Sequence, residues 1–199
     1  FTAMLDALAA HGIRPELRHC ASSGATILYP ELALDMVRPG IATYGHAPSE
    51  DAEGILDLRP LMTVRTTVAQ LREIPAGTSI SYGRTYTAER DMRVAVLPIG
   101  YADGLLRGLS GKVSFRIRGR MARSVGRICM DMCMVDVSEI PGLRVGDEAA
   151  LFGYDTDGTL LPCERIAQQA GTISYEILCG ISKRIPRIYM QGGREQEIL

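Results

Sequence analysis

Lysine is nearly absent from this chain. Of its 22 basic residues only Lys112 and Lys183 are lysines, and the rest are arginines. Any mechanism that needs a lysine has these two candidates and no others. Cysteine pairs at metal-binding spacing are also missing. Cys20, Cys129, Cys133, Cys163 and Cys179 are odd in number and contain no CxxC, whereas a structural zinc wants tighter Cys/His pairs. The expectation is no metal, and thiols kept reduced in a cytoplasmic compartment. No uninterrupted apolar run approaches the roughly 18 residues of a membrane span, and no signal peptide opens the chain. Net charge has no strong sign either. At -1 it gives no reason to expect electrostatic capture of nucleic acid or of an anionic membrane.

What is present is a foldable composition. Apolar residues make up 46% of the 199 and charged residues 23%. That balance excludes a disordered chain. The 21 glycines and 10 prolines follow no period, which excludes collagen and signals many turns. The first residue is Phe1, within a stretch that reads as helix, so a fragment or processed product is expected.

Met4, Leu5, Leu8 and Ala9 have helical spacing over residues 2–11, and Gly12 and Pro15 stop that helix. A strand is expected over Leu17–Cys20. Ser22, Ser23 and Gly24 open a short helix with hydroxyls suited to an N-cap, which Pro30 ends. Asp35–Arg38 reads as another strand. This is the rhythm of an α/β repeat. His19 and Ser22–Ser23 follow the first strand, and Arg38 and Gly40 end the second. Strand C-terminal ends are where α/β folds place ligands.

Near residue 55 the pattern changes. Leu61–Leu71 is β-rich, followed by strand candidates at Ser79–Tyr82, Arg93–Pro98, Val113–Ile117, Met121–Ile128, Met134–Val137 and Ala149–Phe152. Such a series with turn signals argues for a β barrel or sandwich. Helices are expected at about Pro162–Ala170 and Ser174–Gly180, a last strand at Arg187–Met190, and a frayed polar tail over Gln191–Leu199. The expected fold is mainly β with an α/β remnant: residues 1–56 as one unit and residues 57–199 as a β-barrel-like domain.

Taken singly, the chemical signals are ambiguous. Arg38-Pro39-Gly40-Ile41 suits a ligand approaching backbone amides, or an ordinary surface turn. Ser81-Tyr82-Gly83 and Gly100-Tyr101-Ala102-Asp103-Gly104 place a tyrosine beside glycine, as an acid/base group or as an edge tyrosine in water. Cys129 and Cys133 have no histidine nearby and read as inert, and the methionines around them read as packing. His19 is a general base or a structural hydrogen-bonding group.

Taken together and in order, the blocks resemble the alanine racemases. These are pyridoxal 5'-phosphate enzymes with an N-terminal (β/α)8 barrel and a C-terminal β domain. The matching blocks are His19-Cys20-Ala21-Ser22-Ser23-Gly24, Met36-Val37-Arg38-Pro39-Gly40-Ile41, Ser81-Tyr82-Gly83 with Thr85-Tyr86, and Pro98-Ile99-Gly100-Tyr101-Ala102-Asp103-Gly104. Gly126-Arg127-Ile128-Cys129-Met130-Asp131 and Thr172-Ile173-Ser174-Tyr175-Glu176 complete them. The resemblance implies that residues 1–56 are the incomplete end of the barrel and residues 57–199 the β domain.

It also implies roles. Arg38 would donate to the cofactor's pyridine nitrogen. A guanidinium stays protonated and can only donate, so the ring becomes a weaker electron sink and side reactions are suppressed. His19 would orient Arg38. Ser23, the amides of Gly40 and Ile41, and the Tyr175 hydroxyl would hold the phosphate. Tyr82 would be one of two acid/base groups flanking the substrate Cα, the cofactor's lysine being the other. The Tyr101 hydroxyl and the Met130 amide would approach the substrate carboxylate, and Arg107, Arg127, Asp131 and Ile173 would form the entrance corridor.

Two departures stand out. Ser22 occupies a position where the family usually has asparagine. The family's lysine motif, from the start of the barrel, has no counterpart at Lys112 or Lys183, so this chain alone is expected to be inactive. The implied partners are a small amino-acid substrate and a second copy in a homodimer with shared active sites. The implied reaction interconverts L- and D-alanine for cell-wall peptidoglycan precursors. The alternatives are a serine or serine/alanine racemase of the same family, against which the bulky Tyr175 argues, and a non-catalytic fragment. Two barrel strands cannot close a barrel, so their apolar faces would need a partner.

Overall fold

A computed structural model describes residues 1–196. The chain forms two compact units, Phe1–Leu61 and Met62–Leu199.

The first unit is helical and lightly packed. Helix α1 (Thr2–Ala10) buries none of its side chains. Helix α2 (Ser23–Leu28) starts after Ser22, yet no hydroxyl caps it. The Ser23 hydroxyl instead accepts from the amides of Gly40 and Ala42, at 2.8 and 3.3 Å. Pro30 cannot continue the helix and opens a 3-10 turn over Pro30–Leu32. A second such turn spans Ile41–Tyr44.

Neither strand expected here forms a ladder. Leu17–Cys20 and Asp35–Arg38 are extended segments running side by side in parallel. Asp35 donates to the Arg18 carbonyl, Arg38 donates to the Ala21 carbonyl, and Ser22 and Arg38 form one isolated bridge. Parallel strands are stable when both edges are paired and both faces covered. Here each segment has one neighbour, and residues 11–18 are exposed.

The second unit carries the core. Strands β1 (Val64–Thr67) and β2 (Gln70–Ile74) were expected as one run, Leu61–Leu71. They are one extended stretch that changes sheets at Val68–Ala69: β1 pairs with β9 (Glu148–Tyr154), and β2 with β5 (Met92–Leu97). The larger sheet runs β1-β9-β6-β7, with β6 at Ser114–Ile117, β7 at Arg120–Arg123, and β10 (Leu160–Leu161) also on β9. The smaller sheet runs β2-β5-β8, with β8 at Cys133–Asp136. A bridge from Ser124 to Val135, with the Val125 amide on the Met134 carbonyl, joins the sheets at a corner. That corner makes the domain barrel-like.

Side-chain alternation follows position. In β6, Phe115 and Ile117 point inward and Ser114 and Arg116 do not. Strand β9, flanked on both edges, buries five consecutive residues, as a doubly covered strand must. Phe115, Phe152, Leu97, Val135 and Ile166 are among the largest fully buried side chains. Helix α3 (Cys163–Ala170) buries Cys163, Ile166 and Ala167. Its Arg165 donates to the carbonyls of Ser114 and Leu151, tying the helix to β6 and β9.

Several other expectations change in detail. The strand expected over Met121–Ile128 ends at Arg123, where Ser124 and Val125 cross to β8, and Gly126, with a left-handed φ of 71°, then turns the chain away. The strand expected over Ser79–Tyr82 stops at Ile80 (β3, paired with β4, Tyr86–Thr87), and Tyr82 opens a turn. The tail is not frayed through Gln196: β11 (Tyr189–Gln191) and β12 (Arg194–Gln196) form a hairpin. Residues 197–199 lie outside the described part. Helix α4 (Ser174–Gly180) is where the sequence places it.

Candidate active site

The predicted residues fall into two groups, one in each unit. In the first unit, Arg38 ends the second extended segment. Its guanidinium is exposed and makes one long contact, 3.4 Å to the Cys20 carbonyl. His19 lies on the neighbouring segment, and its Nδ1 is buried without a partner among the described residues. Ser23 is buried. The Gly40 amide, expected to serve a phosphate, is engaged by the Ser23 hydroxyl, while the Ile41 amide has no acceptor among the described residues. The group therefore presents a guanidinium, an imidazole, a hydroxyl and a free amide, with no carboxylate pairing the guanidinium. Such a donor set suits an anion carrying a heteroaromatic acceptor.

In the second unit, a cleft of about 380 Å³ is lined by Tyr82, Tyr101, Arg107, Arg127, Met130 and Asp131. These six predicted residues are widely spaced in sequence and meet in one place. Three further lining residues, Ile128, Cys129 and Met132, were missed as site residues. The only signal for them was adjacency to Met130.

Two loops make the cleft's floor. Tyr101 donates its amide to the Cys129 carbonyl at 3.0 Å, and Ala102 to the Met130 carbonyl at 2.8 Å. Gly100 permits this approach, since a Cβ there would lie 2.3 Å from the Cys129 oxygen. Asp103 holds the first loop from beneath. Its carboxylate accepts from the Gly100 amide at 2.8 Å and pairs with Arg184 at 2.7 Å. The Met130 amide remains free among the described residues. Ser110 accepts from the Ile128 amide and donates to the Arg107 carbonyl, which links the corridor arginine to the same floor.

The electrostatics favour an anion. Among the lining residues two guanidiniums, Arg107 and Arg127, stand against one carboxylate, Asp131, and among the described residues neither guanidinium is paired. Cys133 is no nucleophile: burial, then the neighbouring Cys129, pushes its thiol up to about 12. Tyr175 and Ile173 sit at the start of α4, both exposed, and do not line the cleft. Among the described residues no group of three His, Cys, Asp or Glu could hold a metal. No described helix is long and apolar enough to cross a membrane.

The comparison with known proteins decides the family. The family description "Alanine racemase, C-terminal domain" matches residues 61–189, and "Alanine racemase, N-terminal domain" matches residues 1–48. The chain belongs to the alanine racemase family. It is 48% identical to the alanine racemase of Desulfovibrio desulfuricans over 96% of this chain and 50% of that one. It is 47% identical to alanine racemase 2 of Caldanaerobacter subterraneus over 97% of this chain and 50% of that protein. Among solved structures, the Bacillus anthracis alanine racemase with bound L-Ala-P superposes with a TM-score of 0.92 at 33% identity, covering 100% of this chain and 51% of its own. The Clostridium difficile alanine racemase in complex with cycloserine gives 0.91 at 39% identity, covering 98% of this chain and 51% of its own. The fold is therefore the end of a TIM barrel followed by the family's C-terminal β domain. The chain spans about half the length of the relatives it matches.

Proposed function

We propose that this chain is the C-terminal portion of a pyridoxal 5'-phosphate-dependent alanine racemase, an isomerase interconverting L- and D-alanine. One observation carries the proposal: a tyrosine, a free backbone amide and two unpaired guanidiniums converge on one cleft from distant parts of the sequence. The fit of the cofactor rests on the first unit's donor set, above all the unpartnered His19 nitrogen. Arg38 would donate to the pyridine nitrogen and His19 would steady Arg38. Ser23, the Ile41 amide and the Tyr175 hydroxyl would hold the phosphate. The Gly40 amide contributes indirectly, by fixing the Ser23 hydroxyl. When bound, the cofactor acidifies the substrate's Cα–H.

This chain's own residues then do the following. Tyr82 holds or takes a proton on one face of Cα. Tyr101 and the Met130 amide orient the substrate carboxylate. Arg107, Arg127 and Asp131, with Ile173, select small anionic entrants. The opposite face needs a second base, which the family draws from its cofactor lysine. Lys112 and Lys183 are both exposed and lie in no such motif. A homodimer in which the cleft residues of one subunit complete the cofactor site of the other accounts for the exposure of Tyr82 and Met130, 73% and 56%. The unpaired thiols suit a reducing cytoplasm, and D-alanine production suits a role in peptidoglycan precursor supply. The similarity to proteins named alanine racemase supports alanine over serine as the substrate.

The test is racemisation of L-alanine by the cofactor-loaded holoenzyme, with and without Tyr82→Phe. Loss of a positioned acid/base group lowers kcat by about 10²–10⁴-fold. A holoenzyme that leaves L-alanine unchanged, or a phenylalanine variant with full activity, sinks the proposal.

A further inference from the structure

The backbone just before Tyr82 is strained. Ser81 has φ 68° and ψ 178°, a region that glycine enters freely and other residues rarely do. Glycine would satisfy this conformation without cost, so a serine here implies that its hydroxyl is used. That hydroxyl donates to the Arg127 carbonyl at 2.8 Å, and its oxygen lies 3.8 Å from the Cys129 sulfur. The opposing segment is shaped to receive it. A Cβ on Gly126 would lie 2.7 Å from the Ser81 Cβ and 2.9 Å from the Ile80 carbonyl oxygen. On the far side of Tyr82, Gly83 lies close to the Arg127 guanidinium, where a Cβ would sit 3.3 Å from Cζ.

Tyr82 itself is 73% exposed, so little packing in this unit holds its ring. Its direction depends on the backbone that carries it. Ile80 is buried and anchors that backbone on one side, and the Ser81–Arg127 hydrogen bond anchors it on the other. We propose that Ser81 is a positioning residue for Tyr82: its hydrogen bond to the Arg127 carbonyl holds a strained turn that presents the phenol to the cleft. This deepens the functional reading above and rests on it.

The experiment uses the cofactor-loaded holoenzyme and two substitutions. Ser81→Gly releases the strain but removes the hydroxyl, so Tm should stay about unchanged while kcat/KM for alanine falls on the order of 10- to 100-fold. Ser81→Ala keeps the strain without the latch, so both should fall. The two enantiomers have equal free energy, so kcat/KM must drop equally in both directions. The primary isotope effect with Cα-deuterated alanine need not. It should rise in the one direction in which Tyr82 removes the proton. A structural readout accompanies the kinetics. With 3-fluorotyrosine incorporated, the Tyr82 resonance (assigned by Tyr82→Phe) should be a single 19F line in the parent and broadened or split in Ser81→Gly. Ser81→Gly with parental kcat/KM and a single line overturns the proposal, as does a parallel loss of Tm and activity in that variant. If the parent holoenzyme does not racemise alanine, the functional reading fails, and the 19F comparison still decides whether Ser81 positions Tyr82.

Discussion

The two units differ in how they are held together. In the first, α1 buries nothing, and Phe1, Met4, Ile13 and Leu17 are all exposed. In the second, Phe115 and Phe152 are fully buried between paired strands. An ion pair in each unit makes the contrast concrete. Arg18–Asp35 and Asp103–Arg184 are both 2.7 Å long. Each carboxylate also accepts from a backbone amide, but the Asp35 side chain is 32% exposed and its pair screens readily, whereas that of Asp103 is 8% exposed. Equal distances therefore stand for unequal energies. Apart from Tyr175, the residues proposed to hold the cofactor belong to the lightly packed unit, and the cleft belongs to the well-packed one.

The largest expected effect tests the cores against each other. Phe152→Ala should cost about 3–5 kcal/mol in urea unfolding, and Phe1→Ala less than about 0.5 kcal/mol. Comparable losses would break the comparison. Next come the ion pairs. Asp103→Ala strands the Gly100 amide and loosens the loop that carries Tyr101, at about 1–3 kcal/mol. Arg184→Ala, with its partner still bonded to that amide, should cost clearly less. Equal costs would show that the pair, rather than the amide contact, holds the loop.

The smallest effect concerns pH. The Arg18 side chain, then its amide, lowers the Asp35 carboxyl from 3.8 to about 2. A depressed folded value contributes stability above the ordinary carboxylate range, and that contribution is lost as pH falls toward 2. A carbon-detected NMR titration should find the Asp35 midpoint near that value, and Arg18→Ala, which keeps the amide, should raise it part of the way toward about 4. An unchanged midpoint in the variant would remove Arg18 as the cause.

Much of this was legible in the sequence. The helices at 2–10, 163–170 and 174–180 follow from periodicity and stop signals. The alternating strands around Phe115 and Val135 follow from period two. The cleft residues were legible only through the ordered blocks, since no local rule links Tyr82 to Met130. The missed features depend on contacts between distant segments. Leu17–Cys20 has strand-like residues but too few neighbours to form a ladder. The run at Leu61–Leu71 hides a change of sheet, because alternation continues across a corner. The engagement of the Gly40 amide by Ser23, and the support of Tyr101 by Asp103, have no sequence signature at all.

By itself, then, the sequence determined the local order: which stretches are helix or strand, where glycine and proline end them, and which chemical groups exist to be used. The tertiary structure decided which of these groups meet. It alone strained the backbone at Ser81, left the Met130 amide without an acceptor among the described residues and buried the Asp103 carboxylate. The reason is physical. Propensity acts through nearest neighbours along the chain, whereas burial, hydrogen-bond satisfaction and charge pairing are settled by whatever folding brings alongside.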